Sequence, residues 1–350
     1  MAPFTAVAAK KPAMNDQCVA GSHSRLSHSL LFLLPGVLFV FLDGIGLEPP
    51  GAGNPLFVND LPAFRTLAGG HDWTSEAPAL GTGDHVFRLI DARLGTDGLP
   101  QSGTGQATLF TGENCAERAG RHFGPFPHST AKPVLAKRTV FHKVQARFGE
   151  SEAPCAFANA YPPRFFAHAQ KRGRWTVTTR AARGAGVRLR RRADLDAGRA
   201  LAADLTADGW REHLDLDVPR RTPAQAGRRL LHLSRDYAFT LFEYYLTDKA
   251  GHGRGPRTPQ SILADLDAFF GALLNNFRPE EELLVVASDH GNLEDPSRKT
   301  HTLAPVPLVA YGHGAPAFAD VEDLTGVVPA VLKALRAGTR ADRPFLEPTG

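Results

Sequence analysis

Cysteine is scarce in this chain, with three among 350 residues, at positions 18, 115 and 155. An odd number at no metal-binding spacing argues against a disulfide framework and a zinc–thiolate site, and fits a reducing, cytoplasmic compartment. Long hydrophobic runs are lacking too. The apolar run from Leu30 to Leu42 is broken by Pro35-Gly36, is too short to span a bilayer, and ends on Asp43 without a small-residue cleavage site. Neither a membrane span nor a cleaved signal peptide is expected, and residues 1–34 read as a loosely ordered extension. Charge of one sign is not in large excess: 40 Lys and Arg face 36 Asp and Glu, a net +4. Much of the surplus lies in Arg180, Arg183, Arg188, Arg190, Arg191 and Arg192. With no interleaved aromatics, that run reads as the solvated edge of an insertion, and no nucleic-acid partner is expected.

What is present is a set of short apolar runs, too brief for helices: Val37–Leu42, Cys155–Ala160, Ala238–Leu246, Leu283–Ser288 and Val306–Tyr311. They read as buried parallel strands. Helical crossovers stand between them. Thr222-Pro223-Ala224-Gln225 combines a capping threonine, a first-turn proline and a capping-box glutamine. Ile262, Leu266, Phe269 and Leu273 recur at helical spacing, with Asp265 and Asp267 expected to face water, and a last helix follows Thr325 and closes near Gly338. The expected fold is α/β, a doubly wound and mostly parallel sheet, with a core of 35–112 and 222–350. The alternation weakens over 113–221, which reads as an inserted cap.

Three apolar runs end on an aspartate: Asp43 after the first, Asp248 after Thr247, and Asp289 before His290. Ligands bind beyond the carboxyl ends of parallel strands, so these acids hold privileged positions. His252 lies four residues beyond Asp248, and His301 stands in the loop before the last strand. Oxygen and imidazole donors together suit Mn²⁺ or Zn²⁺ better than Ca²⁺, and three acids with three histidines suffice for two ions. Gln101-Ser102-Gly103-Thr104-Gly105-Gln106 is a small-residue turn opening into a short helix, and Ser102 is the candidate nucleophile. Arg121 and Arg164 are candidate grips for a substrate phosphate. Asp43-Gly44-Ile45-Gly46 is no dinucleotide fingerprint, because the third glycine is missing and Pro49-Pro50 interrupts the helix it needs.

Asp43-Gly44, Ser102 in its turn, Thr247-Asp248 through His252, Ser288-Asp289-His290-Gly291-Asn292-Leu293-Glu294, and Thr300-His301 through Leu308 stand in a fixed order. In that order they resemble the cofactor-independent phosphoglycerate mutase and phosphopentomutase branch of the alkaline phosphatase superfamily. The resemblance implies that Asp43, Ser102, Asp289 and His290 bind one divalent ion while Asp248, His252 and His301 bind the other. It also implies phosphoryl transfer through a phosphoserine on small phosphorylated substrates. The chain departs from the mutases in its nucleophile turn, theirs resembling Asn-Ser-Glu-Val-Gly-His, and in a shorter insertion. A smaller lid excludes water less completely, so phosphatase activity on monoesters is expected beside mutase activity. A phosphodiesterase on the same dimetal core is the alternative, and a non-catalytic metal-binding protein the alternative of another class.

Overall fold

The computed structural model describes residues 36–149 and 153–337. The extension expected over 1–34, Cys18 and Gly338 lie outside the described residues. Nine strands are present among them: β1 (Val37–Leu42), β2 (Leu80–Thr82), β3 (His85–Ile90), β4 (Cys155–Phe157), β5 (Ala160–Tyr161), β6 (Arg190–Arg191), β7 (Phe239–Tyr244), β8 (Leu283–Ala287) and β9 (Val306–Gly312). Seven form one sheet in the order β2-β3-β9-β8-β1-β7-β4, and β5 pairs with β6 apart from it. The helices that bear on the site or cover the sheet are α1 (Ser102–Thr111), α2 (Arg192–Asp196), α3 (Pro223–Ser234), α4 (Leu246–Gly251), α5 (Pro259–Leu274) and α6 (Val327–Ala337).

β1 is buried along its whole length because both faces of the sheet are covered. Successive side chains of a strand point to opposite faces. Val37, Phe39 and Phe41 accordingly join one apolar cluster with Leu109 and Phe110 of α1 and Val331 of α6. Leu38, Val40 and Leu42 join another with Leu230 of α3 and Leu266 and Phe269 of α5. β8, β1, β7 and β4 run parallel. Their carboxyl ends therefore meet along one edge, and Asp43, Asp248 and Asp289 follow three adjacent strands there.

The structure corrects several expectations. The Val306–Tyr311 run is a strand, but β9 lies antiparallel to both β8 and β3. Parallel neighbours need a crossover, and the 288–305 connection carries no helix, so β9 returns directly alongside β8. The β2–β3 hairpin was not anticipated. The run expected to extend to Ala160 leaves the ladder after Phe157, because the Asn159 amide takes the place of backbone: its Nδ2 donates to the Glu243 carbonyl (2.7 Å) and its Oδ1 accepts from the Glu243 amide (2.8 Å). Leu246, expected in a strand, begins α4.

Asp267 is half-buried rather than simply solvated. It accepts from the amides of Ala63 and Phe64 at 2.8 and 3.2 Å, serving a helix start (Pro62–Leu67) that has no side-chain cap of its own. The arginine run is not uniformly solvated either, since Arg190 is buried and donates to the Phe157 carbonyl (3.1 Å) and Tyr237 hydroxyl (3.2 Å). Within the stretch expected as a cap, β4 is the edge strand of the main sheet, whereas Leu195, Trp210 and Val218 belong to a small separate cluster. No described helix is long and apolar enough to cross a membrane.

Candidate metal centre

The loops after β1, β7 and β8 are tied to one another before any side chain faces the centre. The Ile45 amide donates to Ser288 Oγ (2.9 Å), the Leu293 amide to the Gly44 carbonyl (2.9 Å), and Thr247 Oγ1 to the Asp43 carbonyl. Glu294, buried beneath them, accepts from the amides of Gly46 and Asn292 at 2.8 Å each and from the Thr302 hydroxyl. One carboxylate thus joins the segments that carry Asp43, Asp289 and His301. Its position in the sequence motif was visible, but this role was not.

Ser102 is the first residue of α1, so the small-residue segment read as a turn is already helix. Its glycines serve close approach. A Cβ at Gly103 would lie 2.2 Å from the Phe126 carbonyl oxygen, and one at Gly105 would lie 2.7 Å from that of Asp289. The helix start is thereby wedged between the 123–126 loop and the Asp289 loop, with Ser102 Oγ 3.0 Å from His290 Nε2. At this helix start Thr104 and Gly105 donate to the Gln101 carbonyl, and the Ser102 and Gly103 amides have no partner among the described residues.

Two sets of donors converge. Around His290 Nε2 stand Ser102 Oγ at 3.0 Å, Asp43 Oδ1 at 3.4 Å and Asp289 Oδ2 at 3.5 Å. In the second set Asp248 Oδ1 lies 3.3 Å from His252 Nε2 and 3.5 Å from His301 Nε2, and those two nitrogens are 3.2 Å apart. Four ligands tetrahedrally placed about 2.1 Å from a cation stand ~3.4 Å from one another, so both sets have the spacing of a coordination shell. The sets adjoin: His290 and His301 stack with ring centroids 3.7 Å apart, and Asp248, His290 and His301 also offer atoms within 4.8 Å of one another. His290 belongs with the first set because its Nε2 has three donor neighbours there within 3.5 Å.

The hydrogen bonds turn these donors inward. Gln106 Nε2 holds Asp43 Oδ2 (3.1 Å) and the Gly44 amide holds Asp289 Oδ1 (3.3 Å). The remaining oxygens, Asp43 Oδ1 and Asp289 Oδ2, are buried and have no hydrogen-bond partner. Each histidine directs Nδ1 at a backbone carbonyl: His252 at Lys299 (2.9 Å), His301 at Pro100 (2.6 Å) and His290 at Gly291 (3.3 Å). With Nδ1 the donor, every Nε2 presents a lone pair to the centre, the orientation that a carbonyl hydrogen bond gives to metal-ligating histidines. Lone pairs facing lone pairs and orphaned carboxylate oxygens are costly on their own. A divalent cation reverses the sign of each interaction, so the residues fit one.

The acids report the same crowding. Burial, and then the neighbouring Asp289, Asp248 and Glu243 carboxylates, push the Asp43 carboxyl well above its ordinary range. Burial also raises Asp289. Burial opposes ionisation of Asp248 as well, but its neighbours His301 and His290 and the Asn292 amide together hold its carboxyl low.

All seven residues expected at a centre are therefore brought together. Neither Arg121 nor Arg164 makes a hydrogen bond or ion pair with any of the seven among the described residues. The Arg121 guanidinium sits over the Phe123 ring, 5.6 Å from its centroid. Arg164 lines a cavity with Glu212 and Asp215 that none of the seven residues lines. Sequence reasoning missed Gln106 and Glu243. A glutamine one turn along α1 and a glutamate inside an apolar strand carry no signal of their own.

Residues 222–337 match the family model described as Metalloenzyme superfamily. That segment holds Asp248, His252, Asp289, His290 and His301, whereas Asp43 and Ser102 precede it. The chain is 28% identical over 87 residues to a 2,3-bisphosphoglycerate-independent phosphoglycerate mutase of Pyrococcus abyssi, a match covering 25% of this chain and 21% of that protein's length. The PH0037 protein from Pyrococcus horikoshii has a similar structure, with a TM-score of 0.50 and 14% identity, covering 87% of this chain and 98% of that one. An alkaline phosphatase from the Antarctic bacterium TAB5 gives a TM-score of 0.46 and 12% identity, over 87% of this chain and 98% of the other. The likeness to the PH0037 protein is one of fold.

Proposed function

We propose that this chain is a two-metal phosphoryl-transfer enzyme that acts on small phosphate monoesters through a phosphoserine at Ser102, as a phosphomutase or phosphatase. One observation carries the reading: the Ser102 hydroxyl completes a set of inward-facing donors with Asp43, Asp289 and His290, beside a second set of Asp248, His252 and His301. A merely metal-binding protein has no use for a hydroxyl in that position. The first set would hold one ion and the second the other, with Zn²⁺ or Mn²⁺ suited to the mixed oxygen and imidazole donors. Bound there, divalent ions lower the pKa of a coordinated hydroxyl and neutralise charge on a phosphoryl group.

The chain's own groups supply the rest. α1 fixes Ser102 Oγ against the Asp289 loop, and the unpartnered Ser102 and Gly103 amides suit phosphoryl oxygens at a helix N-terminus. Ser102 Oγ attacks phosphorus as the ester oxygen departs, and water or an acceptor hydroxyl then attacks the phosphoserine. The buried thiols Cys115 and Cys155 accord with a cytoplasmic location.

The test is to incubate Zn²⁺- or Mn²⁺-loaded protein with 3-phosphoglycerate, ribose phosphates and an aryl phosphate, following free phosphate and positional isomers separately. Trapping of label on the protein should accompany turnover, and Ser102→Ala should abolish both while keeping the fold. Turnover by the alanine variant, or cleavage of diesters alone, would overturn the reading.

A further inference from the structure

α3 carries a second feature. Ala226, Leu230, Leu231 and Leu233 bury its inner face. On the outer side runs a groove of about 540 Å³ lined by Arg220, Arg221, Gln225, Arg228, Arg229 and His232. None of the seven centre residues lines it.

Two of the arginines have a structural role. Arg221 Nη2 donates to the Leu195 carbonyl (3.1 Å) and Arg229 Nη1 to that of Gly198 (3.0 Å), at and just beyond the C-terminus of α2, where cations are favoured. Gly198 leaves room for this: a Cβ there would stand 2.1 Å from Arg229 Nη1. Carbonyl partners are neutral, so both charges survive. Burial and the Arg229 charge together lower the Arg221 pKa. Asp196 acts on Arg221 in the opposite sense, but it is paired with Arg192 at 3.5 Å. The other basic groups have no such account. Arg220, Arg228 and His232 are exposed, and among the described residues they make no hydrogen bond or ion pair.

Four guanidiniums line one groove and no carboxylate lines it with them. Asp208 acts on Arg220 and Asp196 on Arg221 from outside it, so the guanidiniums still repel one another and an anion in the groove reverses that. A guanidinium fork takes phosphate oxygens in pairs. From its Thr222 cap to His232 the helix rises ~15 Å, more than a single phosphate reaches. No Phe, Tyr or Trp lines the groove to stack a base, which disfavours single-stranded nucleic acid. We propose that this groove binds a small oligophosphate anion, with two or three linked phosphates, gripped by Arg221 and Arg229 in its wall and by Arg220 and Arg228 at its rim.

The experiment is a calorimetric titration of the full chain with inorganic tripolyphosphate and, separately, with orthophosphate. Arg220→Gln/Arg228→Gln is compared with Asp289→Asn, or with His301→Ala where Asp289→Asn does not fold. Both rim arginines are exposed, so the double variant keeps its fold, which circular dichroism checks. Expected is one tripolyphosphate per chain, bound more tightly than orthophosphate, weakened as salt rises, at least tenfold weaker in the rim variant and unchanged in the centre variant. Absence of binding, loss in the centre variant with retention in the rim variant, or tighter binding of a single-stranded oligonucleotide than of tripolyphosphate would each overturn the proposal.

Discussion

Glu243 shows how one side chain escapes reading from sequence alone. It sits mid-strand in β7, accepting from Thr178 Oγ1 (2.8 Å) and the Tyr161 hydroxyl (3.3 Å), partners some 65 and 82 residues away. Asp43, Asp248 and Asp289 were legible because each follows an apolar run, whereas Glu243 is inside one and its partners come from the weakly patterned 113–221 stretch. Burial pushes its carboxyl up to about 7 from an ordinary 4.5, against the two hydroxyl hydrogen bonds. A folded value above the unfolded one means that the folded chain keeps a proton the unfolded chain has released. Its contribution is therefore whole below about pH 4.5 and is lost as pH rises towards 7. In metal-free protein, Glu243→Gln should become more stable relative to the parent by about 3 kcal/mol between pH 4 and pH 8. Denaturant melts of both chains at the two pH values measure it, and a pH-independent difference would exclude the mechanism.

At the scale of elements, β1, β4, β7, β8 and β9 and the crossover helices were legible from apolar periodicity and capping residues, and Thr222 does cap α3 with Gln225 completing the box. The start of α1 was not. Ser, Gly and Thr are poor helix interiors, so the segment reads as a turn, and only the wedge between two loops explains glycine within helix. Gly103→Ala should therefore act through contact rather than propensity. Alanine usually stabilises a helix by up to about 1 kcal/mol over glycine, but here its methyl meets the Phe126 carbonyl and must displace the loop or Ser102. The expected result is a loss of about 1–3 kcal/mol in thermal or denaturant melts, with a fall in kcat. A stabilised, fully active variant would show that the loop yields freely. The direction of β9 was illegible for a related reason: an apolar run has the same pattern in either direction, and only the helix-free return from β8 decides it.

For the whole molecule, the centre draws on residues from Asp43 to His301, so it exists only in the folded chain, and a ligand bound there stabilises that state by mass action. Stripping divalent ions should lower Tm, and returning Zn²⁺ or Mn²⁺ should restore it in two equivalents. At a hundredfold excess over its Kd each ion adds about 2.7 kcal/mol. Melting curves with elemental analysis measure both, and a Tm indifferent to chelator would count against a metal centre.

The strand order has a further consequence, for the chain as it is made. β1 lies between β7 and β8, with Val37 registered against Phe239 on one side and Leu283 on the other. Translation proceeds at roughly 5–20 residues per second, so β1 waits about 10–40 s for its first neighbour in the sheet. During that interval Val-Leu-Phe-Val-Phe-Leu is an unpaired, uncharged hexapeptide of high strand propensity, the composition of an aggregation-prone segment. A need to shield residues 37–42 during synthesis is the expected cost of placing the strand that leads to Asp43 at the centre of the sheet.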